Sequence, residues 1–507
     1  MRLLDPRSTV RSFVVLLLTA LLGVGVAAGR LTIAEDADLT ILDPQLTYQS
    51  SLATAWTALY DPLLNRDANL NIVPWLATSW EMESETSWLL TLRDDVTFHN
   101  GEKFDAAAVV ANIDRIIEPG FQQWNFMAGV EGAVAVDEYT VRITTLEPMP
   151  TFLGLMTMFY QVPPAMAAEQ GSEGLEQHPT GTGPFRFVER VADSHLSLVR
   201  NDDWWGELPE WEELVFRIIP EASTRIAALR AGEVDIAKNI PPDQASSIES
   251  DPRLRIASIA SVRTPYIAIY PDSPMGGGEP LADVRVRRAL NHAVDRESII
   301  EFVLAGRGTM ISSLLTPGFL GFNEDVEPYA YDPELAKELL AEAGFPDGFS
   351  LTLEVASNLP MPKPVEIGQA ITANLQAVGI DVELSTPDRA TMLAKQRERT
   401  WAPLAMWSYG ASNLDSDSKF WGPFSTGGSM HFISPPELNE LIAEARSNMD
   451  ADARAEMYRE LHQMVHDMAL TIPLFAQHDV YGYRAGLSWE PVANEVIPLL
   501  EIVDEAQ

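Results

Sequence analysis

Residues 215–236 read VFRIIPEASTRIAALRAGEVDI, the pattern of a strand, a helix and a second strand in 22 positions. Val215 to Ile219 is an apolar, β-branched run closed by Pro220, which cannot donate to a sheet ladder. Ser223 is placed to cap a helix whose Ile226 and Leu229 face inward. Gly232 stands where a helix ends in the left-handed region, and Val234-Asp235-Ile236 is extended again. Strand, helix and strand in such short compass predict an α/β fold.

The same alternation runs downstream. Val286, Ala289, Leu290 and Ala293 form the i, i+3, i+4, i+7 stripe of a helix packed on a sheet. Asp332-Pro333 opens a helix with a capping carboxylate and a proline at its first position, and Gly344 closes it. Ile371, Leu375 and Val378 face one way on another helix, before the alternating strand Ile380 to Leu384. Leu438, Leu441, Ile442 and Ala445, then Met457, Leu461, Met464, Val465 and Met468, mark two final helices. Upstream, Leu31 to Ala34 reads as a strand and Leu52 to Leu59 as a helix. Trp88 to Arg93 and Val96 to Phe98 are predicted to pair as strands across a short acidic turn, with Asn100-Gly101 turning next. Val109, Ile113 and Ile116 lie at helical spacing, and Val134 to Val136 with Val141 to Ile143 flank an Asp-Glu hairpin turn.

The chain has 507 residues, too many for one growing core, so at least two lobes are expected. Its formal net charge of −38 opposes contact with nucleic-acid phosphates and anionic lipid. It has no cysteine, which excludes disulfides, thiolate metal sites, a cysteine nucleophile and a lipidated cysteine. Arg2, Arg7 and Arg11 precede the apolar run Phe13 to Leu22 and the small residues Val26-Ala27-Ala28. That is the layout of a secretory signal peptide over residues 1–28, cleaved after Ala28. The apolar run is short beside the roughly 20 residues a bilayer needs. A soluble periplasmic protein without direct membrane insertion is the expectation.

Several segments carry a family resemblance. Trp75-Leu76-Ala77-Thr78-Ser79-Trp80, Leu92 to Gly101 (LRDDVTFHNG), Gly181-Thr182-Gly183-Pro184-Phe185 and Arg200 to Trp205 (RNDDWW) come in order. They are followed by Ala227 to Ile236, Val284 to Ile299 and Tyr331 to Phe349. Together they resemble the family 5 extracellular solute-binding proteins of ABC importers, the dipeptide, oligopeptide and nickel-binding group, over nearly the whole chain after residue 28. The resemblance implies a two-lobed periplasmic-binding-protein-like α/β fold of cluster C type. Lobe I would comprise residues 29–44, 181–262 and 475–507, with an inserted subdomain at 45–180 and lobe II at 263–474. The chain would cross the hinge near Tyr266 to Ile269 and near Ile472 to Leu474, and the ligand would lie between the lobes. It further implies a monomer that hands a peptide-like or other small organic solute to a permease and ATPase complex, with no cofactor and no catalysis. Gly181 and Gly183 read as turn and close-approach residues rather than a nucleotide loop.

In such proteins a W-x-x-D-x-x-DP type segment faces the cleft; here it runs from Met406 to Asp417. Trp407 matches its tryptophan, and Tyr409 lies in the same segment. Ser412 stands where peptide-binding relatives place an aspartate for the ligand amine. A hydroxyl is a weak substitute there, and Asp415 is the nearest carboxylate able to take the role. Tyr48, Trp124, Tyr160 and Tyr481 are further candidates for contact. Lys363 and Arg389 are candidate partners for a ligand carboxylate. His462 and His466, at i and i+4, have metal-chelating spacing, and His431 is the position that a nickel-chelate carrier would use. A secreted hydrolase is the remaining alternative. No GxSxG or HExxH pattern supports it, but two carboxylates can meet from anywhere in a fold.

Overall fold

A computed structural model describes residues 29–47, 49–117, 127, 129–410, 413–428, 430 and 433–505. The signal-peptide reading of residues 1–28 falls outside the described residues. Two large sheets and one smaller one organise the chain.

The first sheet is centred on Arg30–Glu35, which lies parallel to Glu213–Ile218 on one side and Ile236–Ala237 on the other. Its sequence of strands is Leu254–Ala260, Ala476–Arg484, Ile236–Ala237, Arg30–Glu35, Glu213–Ile218, His195–Arg200, Phe185–Val191. The parallel core follows from the strand–helix–strand unit at 213–237. Helix Ala222–Ala231 buries Ile226 and Leu229 beside Val234 and Ile240, returning the chain to the far side of the central strand. Its end is as read: Gly232 sits at φ 72°. Its start differs. Glu221, not Ser223, is the cap, its carboxylate accepting from the Ser223 backbone N–H at 3.4 Å.

The second sheet runs Asp381–Ser385, Ser350–Val355, Leu404–Tyr409, Thr264–Ile269, Thr471–Pro473. Every residue of Thr264–Ile269 is buried, as a central strand requires. The helices read from stripes pack on this sheet: Val286, Ala289, Leu290 and Ala293 of Val284–Ala293 are all buried. Asp332 caps Pro333–Glu342 through the Leu335 N–H at 2.9 Å.

The third sheet is antiparallel, in the order Ala77–Ser84, Ser87–Leu92, Thr140–Thr145, Val130–Asp137, with Ala106–Ile117 against it. Here one expectation fails. Val96 to Phe98 is no strand partner of Ser87–Leu92, which pairs instead with Ala77–Ser84 and Thr140–Thr145. The 96–104 segment closes on itself, Phe98 N–H donating to Glu102 O at 2.8 Å and Gly101 N–H to Phe98 O at 2.8 Å.

The chain passes between the two large sheets twice. It leaves Leu254–Ala260 for Thr264–Ile269 through residues 261–263, and returns from Thr471–Pro473 to Ala476–Arg484 through 474–475. The passages run side by side, joined by Ser261 N–H to Gln477 O at 2.8 Å and Gln477 N–H to Arg263 O at 2.9 Å. Tyr266 to Ile269 was expected at the crossing and is instead the heart of the second sheet. Its unbroken apolar run suits a strand buried on both faces, not a hinge.

Candidate functional site

A cavity of about 1070 Å³ lies between the first and second sheets. Both sheets aim the carboxyl ends of parallel strands at it, the usual place for a site on such sheets. Glu35 ends the strand Arg30–Glu35, and Lys238 follows Ile236–Ala237; facing them, Ser408 and Tyr409 end Leu404–Tyr409 and the 359–363 loop follows Ser350–Val355. Arg263, from the first passage between sheets, and Glu495 also line the cavity.

The wall on the first-sheet side is charged and buried. Glu35 pairs with Lys238 at 3.1 Å, both side chains about 5% exposed. Burial raises the Glu35 carboxyl, with Lys238 working against the rise. Arg263 holds Glu495 in a fork, Nε at 2.5 Å and Nη2 at 2.9 Å, and reaches Ser50 Oγ at 3.2 Å. Burial alone would raise Glu495, but this guanidinium brings it below the usual carboxylate range. Burial, then the nearby Glu495, pushes the Asp479 carboxyl well up; Arg263, Lys238 and a hydrogen bond from the Gln477 side chain work against burial but do not outweigh it. Its Oδ2 has no hydrogen-bond partner among the described residues. Gln477 Oε1 is unpartnered in the same way. Behind the wall, Lys419 is buried and donates to Val262 O at 3.1 Å, Thr264 Oγ1 at 3.0 Å and Tyr409 O at 2.8 Å. Its burial pulls the amine well below the ordinary lysine range.

Of the residues singled out from sequence, Tyr409, Lys363, Arg389 and Tyr481 line this cavity together. Three others lie elsewhere. Trp407 is 8% exposed and packs in the core of the second sheet, where a large indole is most favourably placed. Asp415 caps helix Ser416–Phe424 and is gripped by Arg454 at 2.7 and 2.6 Å, so its lone pairs are committed inside the fold. Tyr160 packs on Trp56, ring centroids 6.2 Å apart, beside a second cavity of about 340 Å³. Tyr48, Trp124, Ser412 and His431 fall outside the described residues. His462 has both ring nitrogens occupied, Nδ1 accepting from Asn323 N–H and Nε2 meeting Ser312 Oγ, each at 3.1 Å. His466 stacks on Tyr329. Among the described residues no group of three or more His, Asp or Glu is placed to hold a metal ion. The charged wall at Glu35, Lys238, Arg263, Asp479 and Glu495 was missed from sequence. One signal was available: Gln477-His478-Asp479 is a polar break inside an otherwise apolar strand.

The quoted motifs have structural work. His99 N–H donates to Gly181 O at 2.8 Å, its Nδ1 accepts from Gly181 N–H at 3.3 Å, and its Nε2 meets Gly183 O at 2.9 Å. Burial lowers this imidazole to about 4, consistent with a neutral ring that accepts on one side and donates on the other. Asp61 is the buried acceptor for the indoles of Trp75, Trp205 and Trp204 at 2.8, 3.1 and 3.2 Å and for Thr182 Oγ1 at 3.0 Å. Burial pushes its carboxyl up to about 6, the four donors opposing.

Residues 71–431 match the family described as bacterial extracellular solute-binding proteins, family 5 Middle. The chain is similar to heme-binding protein A of Haemophilus influenzae, 30% identical over 463 residues, covering 83% of each chain. It is similar to the glutathione-binding protein GsiB of Pectobacterium atrosepticum, 28% identical over 459 residues and 87% of each chain. Among solved structures it resembles NikA from Brucella suis in complex with Fe(III)-EDTA, with a TM-score of 0.83, 25% identity, and 94% of this chain and 99% of that one covered.

Proposed function

The chain belongs to the bacterial extracellular solute-binding proteins, family 5, substrate-binding components of ABC importers with a two-lobed α/β fold of cluster C type, and on that premise we propose how it works. It captures a small organic solute, peptide-like in size and polarity, in the cavity between its sheets, and delivers it unchanged to the permease and ATPase of an importer. Residues 29–44, 181–262 and 475–507 act as lobe I, 45–180 as an inserted subdomain and 263–474 as lobe II. The protein works as a monomer in the periplasm after cleavage of residues 1–28. Lys363, Arg389, Tyr409 and Tyr481 are the contact residues among those read from sequence.

The observation that carries this reading is that both sheets supply walls to one cavity. A guest there touches both bodies at once, so it binds the closed arrangement better than the open one and shifts the balance toward it. The volume suits a molecule of peptide, glutathione or chelate size. The test is native mass spectrometry of protein from its own host, followed by solution scattering and thermal melting with the co-purified solute. Compaction, a raised melting temperature and chemically unchanged guest are expected. A saturated protein with an unaltered scattering profile, or a guest converted to product, overturns the proposal.

A further inference from the structure

The first-sheet wall of the cavity contains three buried carboxylates and two buried cations. The pairing is one to one as far as it goes. Lys238 serves Glu35 at 3.1 Å and Arg263 serves Glu495 through both fork nitrogens. Lys419, the next cation, is turned to three neutral oxygens at 2.8–3.1 Å and lies behind the wall. At the mouth, Lys363 meets Asp243 at 3.2 Å. Asp479 takes a hydrogen bond from the Gln477 side chain and shares the field of Arg263 and Lys238, but one of its oxygens stays open. It is 7% exposed, lines the cavity, and presents Oδ2 with no donor from any described residue. Beside it Gln477 presents a second unpartnered acceptor, Oε1, and Tyr481 adds an aromatic ring two residues along the same strand.

Burying a carboxylate oxygen without a donor is costly, and proteins seldom keep one unless something else completes it. An orphan donor would call for an acceptor on the guest; here both orphans are acceptors. We infer that Asp479 is the seat for a positively charged group of the solute, an ammonium or guanidinium, with Gln477 Oε1 as its second acceptor. The solute class is therefore small molecules that carry a cationic centre, zwitterions included. This rests on the proposal that the cavity is the solute site.

The test uses the mature chain, wild type and Asp479→Asn, titrated by calorimetry and thermal shift. The probes are matched pairs: tri-alanine and N-acetyl-tri-alanine, lysyl-alanine with and without both amines acetylated, and spermidine against its fully acetylated form. At least one free amine is expected to bind, its acetylated partner to bind at least tenfold more weakly, and Asp479→Asn to lose at least tenfold for the free amine. The variant keeps the shape of the side chain while removing the group that ionises against a bound cation. Its empty form should therefore melt no lower than wild type, which also shows that it folds. Equal binding of acetylated and free forms, no binding of any free amine, or full affinity in Asp479→Asn overturns the inference. If a neutral or anionic solute compacts the protein and occupies the cavity, the solute-binding proposal stands and only the cation seat falls. If even the co-purified solute leaves scattering unaltered, both fall.

Discussion

Single side chains here are set by what burial does to their protons. His462 is fully buried, and its Nδ1 must stay an acceptor for the Asn323 N–H, so burial lowers it to about 4. The sign follows from linkage. Above about pH 6.5 the ring is neutral in both folded and unfolded chains and its contribution is complete. As pH falls from about 6.5 to about 4, the unfolded chain takes up a proton that the folded one refuses, and stability drops by up to roughly 3 kcal/mol. Asp61 and Asp417, both raised to about 6 by burial, act oppositely, gaining stability as pH falls from about 6 to their unfolded value of 3.8. The wild-type profile blends these, so the clean measurement is a difference. Urea melts of wild type and His462→Asn should keep a constant gap above about pH 6.5 and a narrowing gap below it. A gap that does not move with pH would mean the folded protein protonates His462 freely. Trp407 makes a second residue-scale case. Its place in the core predicts that Trp407→Ala costs about 3–5 kcal/mol of unfolding free energy. A small stability loss with a large affinity loss would return Trp407 to the site.

At the scale of elements, the loop at residues 181–184 shows why a short motif can be legible while its meaning is not. Gly183 N–H bonds to Leu59 O at 3.0 Å, and a Cβ at Gly183 would stand 2.5 Å from the Leu59 carbonyl carbon. Gly183→Ala should therefore force the loop off the end of helix Ser50–Leu59. A cost of about 2–4 kcal/mol in chemical denaturation is expected, with the circular dichroism of the folded state little altered. Helices were readable because their stripes and caps are local: Asp332 caps 333–342, and Val286 to Ala293 faces the core, from spacing alone. Glu221 displaced Ser223 as a cap because the helix starts at Ala222, which puts Ser223 inside the first turn and its N–H within reach of the Glu221 carboxylate. Val96 to Phe98 has strand composition but spends its bonds on a turn that delivers His99 to the glycine loop. The cavity was half legible. Tyr409 comes from a segment with a family wording, whereas Glu35, Lys238 and Asp479 meet from positions more than 200 residues apart, two at strand ends and one within a strand, which only the assembled sheet brings together.

For the whole molecule, one helix holds the two lobes at the mouth of the cavity. Pro242–Glu249 offers Asp243 in its first turn to Lys363, on the second-sheet side, at 3.2 Å, and Glu249 at its end to Arg307, just before the Gly308–Thr309 strand that pairs with Ala476–Gln477, at 2.8 Å. Asp243 and Glu249 are about half exposed, so each pair contributes only about 0–1 kcal/mol and is screened by salt. Such weak pairs do not determine the fold, but they are well sized to bias an equilibrium between open and closed lobes. On the proposed mechanism that equilibrium turns on the two short passages whose backbones are bonded side by side at Ser261, Arg263 and Gln477. The double variant Asp243→Asn, Glu249→Gln should therefore leave unfolding free energy within about 1 kcal/mol of wild type. Its empty form should scatter as a more open particle, and affinity for the co-purified solute should weaken by about tenfold or less, the most that two such pairs can supply. High salt should open the wild type toward the variant and leave the variant itself unmoved, because the charges on which salt acts are already gone. The solute-bound forms should scatter alike, since the guest supplies the contacts that the rim has lost. Identical scattering of the two empty proteins at low salt would show that these pairs persist through opening, and would move the bias from the rim to the hinge.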